Sequence, residues 1–110
     1  MNCQLPDAVT AYFDISNGGG DTSLMATCFS ANATVFDENR THKGIEAIES
    51  WQREARQAFT YQIKPIEVTE RAGTLTVAAR VTGNFPGSPV KLNHAFTVLD
   101  GRIHTLEITP

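Results

Sequence analysis

The chain has 110 residues, of which 41% are hydrophobic and 19% are charged, and its formal net charge is −3. This length and composition are typical of one globular domain, residues 1–110, with a core of its own. Lysine and arginine are not clustered, which argues against nucleic acid or a membrane surface as a partner, because both need a concentrated positive field.

The first quarter of the chain is predicted to hold two helices. Pro6 and Asp7 suit the first turn of a helix, and apolar residues then recur at helical spacing. The glycines that follow Asn17 end this helix, because glycine adopts the left-handed conformation of a helix C-terminus without strain. Asp21 is a good N-cap for a second, shorter helix.

A short strand and a third helix follow. Residues 33–37 form an apolar strand that ends in an aspartate, and the polar residues 38–44 are expected to form a loop. From Ile45 to Phe59 the apolar residues make one stripe, which predicts an amphipathic helix.

The second half of the chain is predicted to be β-sheet. From Tyr61 onward apolar and polar residues alternate, and turn signals at 72–73, 86–89 and 100–101 separate four strands. The alternation changes phase at Pro65, which indicates a bulge or an edge position. Loops this short join antiparallel neighbours, so we expect a four-stranded meander.

Three helices on one face of this sheet make an α+β domain of two layers. A curled sheet that holds helices in its concavity encloses a pocket and leaves its other face uncovered. That outer face is flat and only partly polar, so we expect a homodimer across it. Its residues are Thr74, Thr76, Ala78, Arg80, Thr82, Asn93 and Thr97.

Two residues are candidates for a catalytic role in this pocket. Asp37 ends an apolar strand, where a carboxylate is costly to bury unless something pairs with it or uses it. His94 lies in the apolar face of a later strand, from which it would donate a hydrogen bond or shuttle a proton near neutral pH. Structural alternatives stay open: Asp37 would cap the loop or pair with Arg40, and His94 would be an ordinary buried histidine.

Aromatic side chains must line part of any such pocket, although each one taken alone is better explained as core. Trp51 is the strongest candidate for a wall that selects ligand shape, and its indole N–H needs a partner, which a ligand or water would provide. The other expected ligand contacts are Phe13, Phe36, Tyr61, Phe96 and Arg40, the last in a loop where solvated charge is the alternative.

No motif for metal, phosphate or nucleophilic catalysis is present. The acidic and histidine residues lack metal-ligand spacing, and neither a Ser-His-Asp order nor a cysteine nucleophile pattern occurs. Residues 18–20 are glycines that follow a helix instead of preceding one, so they do not form a phosphate-binding loop. We expect neither a metal nor a cofactor.

A helix, the glycine break at 17–21, a short helix, the strand at 33–37 and Gly44-Ile45-Glu46-Ala47-Ile48 occur in this order. The order resembles the nuclear transport factor 2-like superfamily, in particular its SnoaL-like polyketide cyclase and ketosteroid isomerase branch, over nearly the whole chain. The resemblance implies a cone-shaped, cystatin-like fold, usually in a homodimer. Three N-terminal helices would pack in the concavity of a curved, mainly antiparallel sheet around a deep apolar pocket.

The resemblance also implies roles for single residues. Asp37 falls at the position of the catalytic base of ketosteroid isomerases. The tyrosine of their oxyanion hole falls on Phe13, with Tyr12 adjacent, and their second, protonated aspartate falls on His94. Two of three positions therefore differ from the isomerase pattern, which argues against steroid isomerisation itself. The arrangement is closer to SnoaL-like proteins, in which an acidic residue and a histidine often line the pocket.

These observations lead to a primary hypothesis and two alternatives. In the first, a small apolar or aromatic carbonyl metabolite binds in the cone, and Asp37 acts as a cofactor-free base for isomerisation, cyclisation or dehydration. His94, with Tyr12, would stabilise the enolate. The second is a non-catalytic ligand-binding or dimerisation module. The third is epoxide or ester hydrolysis, for which Arg40 and Arg80 are the candidate arginines, although Arg80 is expected to face away from the pocket.

The sequence also bears on the cellular compartment. No apolar stretch approaches the roughly 20 residues of a membrane span, and the first residues lack the basic and apolar regions of a secretory signal. Cys3 and Cys28 are too few for a disulfide framework. We therefore expect a cytoplasmic protein with no membrane partner.

Overall fold

In the computed structural model, which describes residues 5–110, three helices pack on one face of a six-stranded sheet. The helices are α1 (Asp7–Ser16), α2 (Met25–Cys28), which continues a 3₁₀ turn at Thr22–Leu24, and α3 (Ile45–Ala58). The strands are β1 (Phe29–Asp37), β2 (Arg40–Lys43), β3 (Tyr61–Arg71), β4 (Thr74–Gly83), β5 (Val90–Leu99) and β6 (Arg102–Thr109). The predicted α+β architecture is confirmed. Among these residues, no helix combines the length and the apolar character that crossing a bilayer requires.

The strands follow the order β2-β1-β6-β5-β4-β3 across the sheet. The last four strands form the predicted antiparallel meander, while β1 pairs with β2 antiparallel and with β6 parallel. Three hairpins have two-residue turns, at 38–39, 72–73 and 100–101, in which both residues have positive φ. Turns of this kind match the twist of the strands that they join. The sheet is therefore mainly antiparallel, with one parallel pair where the two halves of the chain meet.

Two predicted segments differ from the structure. The strand predicted at 33–37 begins earlier, at Phe29, and a register shift between Phe29 and Thr34 interrupts the alternation that would have marked its first half. Residues 38–44, predicted as a loop, contain a two-residue turn and the strand β2. Because β2 consists of four polar residues at the edge of the sheet, no apolar alternation marks it.

Bulges bend the long strands around the helices. The shift predicted at Pro65 is confirmed: Pro65 and Glu67 pair with consecutive residues of β4, and Ile66 between them is left unpaired. A second shift lies in β6, where Thr105 and Ile103 pair with the consecutive residues Thr97 and Val98 of β5 and His104 is left unpaired. A bulge adds local twist and bends its strand. The sheet is therefore curved, and the helices lie in its concavity.

The end of α1 is tied to the edge strand β3. The Oδ1 atom of Asn17 accepts a hydrogen bond from the backbone N–H of Ile63 at 2.6 Å, and its Nδ2 donates to the carbonyl of Ile63 at 2.9 Å. Gly18 follows with a φ of 89°, as expected for the glycine that ends a helix. These contacts place α1, and its side chains Tyr12 and Phe13, across the concave face of the sheet.

Candidate functional site

A cavity of about 1000 Å³ opens between α1, α3, the concave face of the sheet and the β1–β2 hairpin. Its volume and mainly apolar lining are typical of a small-molecule site. The apolar and aromatic side chains of its wall include Tyr12, Trp51, Phe59, Tyr61, Ile63, Val81, Phe85, Val90, Leu92 and Ile108.

Asp37 supplies a carboxylate to this wall. Val35 is fully buried, and Asp37, two residues further along β1, points to the same concave side. The Nε1–H of Trp51 donates a hydrogen bond to Asp37 Oδ2 at 3.0 Å. The indole expected to need a ligand or water thus finds its partner in Asp37. Arg40 is paired with Asp37 in the register of the hairpin.

His94 lies deep in the cavity wall. Its side chain is 1% exposed, and its ring centroid lies 5.4 Å from that of Phe13 and 6.3 Å from that of Tyr12. Burial lowers the pKa of His94 to about 4, so the imidazole is neutral at neutral pH. Its Nδ1 has no hydrogen-bond partner among residues 5–110. A neutral imidazole carries one donor and one acceptor nitrogen.

Tyr12, and not Phe13, is the α1 aromatic residue that lines the cavity. Its ring is parallel to that of Trp51, with centroids 6.4 Å apart. Burial raises the pKa of Tyr12 well above its ordinary value, so the hydroxyl stays protonated. The three residues predicted to be catalytic, Asp37, His94 and Tyr12, therefore line one cavity.

The six predicted ligand contacts divide into three groups, which lie in the cavity wall, at its mouth and behind it. Trp51 and Tyr61 form part of the cavity wall, and Phe36 and Arg40, both exposed, border its mouth.

Phe13 and Phe96 do not line the cavity but pack behind it. The ring of Phe13 lies edge-on to Tyr12 at 5.2 Å, and that of Phe96 stacks on His94 at 6.3 Å. Neighbouring helix positions differ by about 100°, so Phe13 turns into the core when Tyr12 faces the cavity. Both phenylalanines therefore position Tyr12 and His94.

Gln52 is a cavity residue that the sequence analysis does not single out. It is 1% exposed, it lines the cavity, and its Nε2 has no hydrogen-bond acceptor among residues 5–110. The sequence feature that could have identified Gln52 is its position, because this polar residue follows Trp51 within the apolar stripe of α3. A polar residue in such a stripe requires either a partner or a ligand.

Arg80 and Cys28 lie outside the cavity wall. Arg80 is exposed on the outer face of β4 and is absent from the cavity wall. Burial raises the pKa of Cys28 to about 11, so its thiol stays protonated, and Cys3 lies outside the described residues. Within residues 5–110, no three histidine, cysteine or acidic side chains are grouped closely enough to hold a metal ion.

Comparison with known proteins places the chain in a family. No protein-family model and no curated protein matches the sequence. Among solved structures, a "putative polyketide cyclase" from Sinorhizobium meliloti is 43% identical, covers 96% of this chain and 95% of its own, and gives a TM-score of 0.89. The chain belongs to the SnoaL-like polyketide cyclase family.

More distant structures show the same fold as this SnoaL-like protein. A "putative SnoaL-like polyketide cyclase" from Jannaschia sp. CCS1 is 21% identical. The match covers 99% of this chain and 90% of that protein, with a TM-score of 0.76. A protein of ketosteroid isomerase-like fold from Catenulispora acidiphila, in complex with trimethylamine, is 18% identical over 97% and 87%, with a TM-score of 0.83. The SnoaL-like chain therefore has the cone fold of nuclear transport factor 2-like proteins, as predicted.

Proposed function

We propose that this SnoaL-like domain binds a small apolar or aromatic metabolite with a carbonyl group and, without a cofactor, moves a proton at the carbon beside that carbonyl. The observation that carries the proposal is the Asp37 carboxylate, which lines an aromatic cavity and is held by Trp51. Among the described residues, Oδ2 is the oxygen of Asp37 that receives a hydrogen bond. Its Oδ1 is then available to accept a proton from the ligand.

His94 and Tyr12 are the donors in this proposal. Burial keeps the imidazole neutral and the phenol protonated at neutral pH. An N–H or O–H group that is already oriented in a cavity sheltered from water stabilises a developing oxyanion strongly. Either residue would therefore lower the free energy of the enolate and of the transition state that leads to it.

The proton transfer balances without any further reactant. The C–H bond beside the carbonyl breaks, its proton moves to Asp37, and its electron pair moves onto the carbonyl oxygen. In an isomerisation Asp37 returns the proton to a different carbon. In a cyclisation the enolate carbon attacks a second carbonyl of the same molecule, and the new alkoxide takes the proton.

A non-catalytic binding module is the competing function. The hydrogen bond from Trp51 favours it, because this bond gives the half-buried Asp37 a structural partner. The same cavity would then hold a ligand without transforming it.

Deuterium exchange into α-tetralone tests the proposed proton transfer directly. In deuterium oxide, proton NMR follows the loss of hydrogen from the carbon beside the carbonyl. We expect the wild-type protein to accelerate this loss, and Asp37→Asn to reduce the acceleration about 10²- to 10⁴-fold, because the base is removed. Asp14→Asn is the matched control, since Asp14 is exposed on α1, and it is expected to retain the wild-type rate.

Two outcomes would contradict the proposal. Exchange as fast with Asp37→Asn as with the wild type would show that Asp37 is not the base. Binding of α-tetralone, detected through Trp51 fluorescence, without accelerated exchange would favour the non-catalytic module.

A further inference from the structure

Gln52 is a buried amide in the wall of the proposed ligand cavity. Its side chain is 1% exposed, and its Nε2 is enclosed without an acceptor among residues 5–110. A buried amide N–H without an acceptor carries the full cost of its desolvation. An oxygen that enters the cavity and accepts from Gln52 would remove this cost.

Tyr61 lines the same cavity as Gln52. Burial raises the pKa of Tyr61, while the nearby Arg56 and the Gln52 amide oppose the rise. Tyr61 keeps its proton at neutral pH. Two neutral hydrogen-bond donors, the Gln52 amide and the Tyr61 hydroxyl, thus belong to a wall that is otherwise mostly apolar.

These donors are directed differently from the Asp37 carboxylate. Trp51 and Gln52 are consecutive on α3 and project about 100° apart. The indole of Trp51 reaches Asp37 at the end of β1, whereas the amide of Gln52 acts on the pKa of Tyr61 at the start of β3. The cavity therefore presents a base at one part of its wall and a pair of donors at another.

We propose that Gln52 and Tyr61 form a polar subsite that binds a second acceptor oxygen of the ligand. The ligand class is then a ring compound with a carbonyl group at one side and a further carbonyl or hydroxyl oxygen at the other. The inference rests on the proposed function, since it specifies the ligand of the same cavity. In this proposal Gln52 determines which ligand binds, and it takes no part in the proton transfer.

Two ketones that differ by one oxygen test the subsite. Binding of α-tetralone and of 4-hydroxy-α-tetralone is measured by the fluorescence of Trp51, the single tryptophan of the chain. We expect the wild type to bind the hydroxy ketone about three- to tenfold more tightly, as one net hydrogen bond provides. Gln52→Leu keeps the side-chain size but not the donor, and it is expected to lose this preference while still binding α-tetralone.

Gln57→Leu is the matched control, because Gln57 is exposed on the same helix, and it is expected to keep the wild-type preference. A second measurement needs no variant: in nitrogen–proton NMR spectra, the side-chain NH₂ signals of Gln52 should shift on addition of the hydroxy ketone and not of α-tetralone.

The outcomes separate the subsite from the proposed function. Equal binding of both ketones by the wild type, an unchanged preference in Gln52→Leu, or unmoved Gln52 signals in the saturated complex would each overturn the subsite alone. If the wild type binds neither ketone, the ligand class of the proposed function is wrong, and the subsite is wrong with it.

Discussion

His94 is a titratable side chain held among aromatic rings. Phe13, Tyr12 and Phe96 all have ring centroids within 6.3 Å of the imidazole. Such surroundings disfavour the charged form, which is why burial lowers the pKa of His94 to about 4. The same burial that keeps the imidazole a neutral donor also makes the stability of the fold depend on pH.

The free energy of unfolding is expected to fall as the pH is lowered from about 6.5 to about 4. In this range His94 takes up a proton in the unfolded chain but not in the folded protein. Because the unfolded state binds more protons, stability is lost toward acid pH, by up to about 1.4 kcal/mol per pH unit. Urea unfolding of the wild type and of His94→Phe across this range measures the effect.

The comparison with His94→Phe isolates this residue, because the carboxylates titrate in both proteins. The variant is expected to lose less stability between pH 6.5 and pH 4 than the wild type. Parallel curves for the two proteins would show that His94 is not responsible.

Single-residue features were predictable where strand alternation determines them. The concave orientation of Asp37 and His94 follows from period two along β1 and β5. The hydrogen bond between Trp51 and Asp37 does not follow from sequence, because it depends on how α3 packs against the sheet. The choice between Tyr12 and Phe13 depends in the same way on the rotation of α1 about its own axis.

The three tight hairpins use different residues for the same backbone conformation. Asp100 and Ala72 occupy the first turn position with φ of 53° and 52°, and a glycine follows each. Aspartate tolerates this left-handed conformation, whereas the Cβ of alanine makes it costly. The β3–β4 turn therefore has a less suitable residue than the β5–β6 turn.

Exchanging these residues should change stability in opposite directions. Ala72→Asp is expected to raise the free energy of unfolding by about 0.5–1 kcal/mol, and Asp100→Ala to lower it by a similar amount. Urea unfolding at neutral pH measures both variants. A change in the same direction for both would contradict the explanation from turn conformation.

At the level of elements, the sequence predicts the segments that have strong periodicity or turn residues. The meander, the bulge at Pro65 and the helix Ile45–Ala58 belong to this class. The strand β2 does not, because its polar residues derive their conformation from pairing with β1 and not from their own pattern. The parallel pairing of β1 with β6 is likewise set by the whole sheet.

The outer face of the sheet bears on the assembly of the molecule. We propose that two copies of the chain pair through this face. Thr76 and Ala95 are neighbours in the register of β4 and β5, and both are partly exposed at its centre. Small side chains allow two such faces to approach closely. In a dimer with a two-fold axis, any residue of this face occurs twice in the interface, once from each copy.

Sedimentation equilibrium tests this pairing. The wild type is expected to be a dimer at micromolar concentration, and Ala95→Arg to weaken dimerisation by at least about tenfold, because two buried cations would face each other. Ala58→Arg, at an exposed position of α3, is the control and should remain dimeric. A monomeric wild type at this concentration would refute the pairing.

The parallel pairing of β1 with β6 has a consequence for biosynthesis. The strand that carries Asp37 has β6 on one side and only the short β2 on the other, and β6 follows every other described element along the chain. On the ribosome, β1 must therefore wait for β6, the last of the described elements, before it gains its second neighbour in the sheet. Contacts between such distant segments also form slowly. The wall that holds the carboxylate is thus completed late, and a nascent chain that lacks β6 lacks the part of the cavity wall that Ile108 forms.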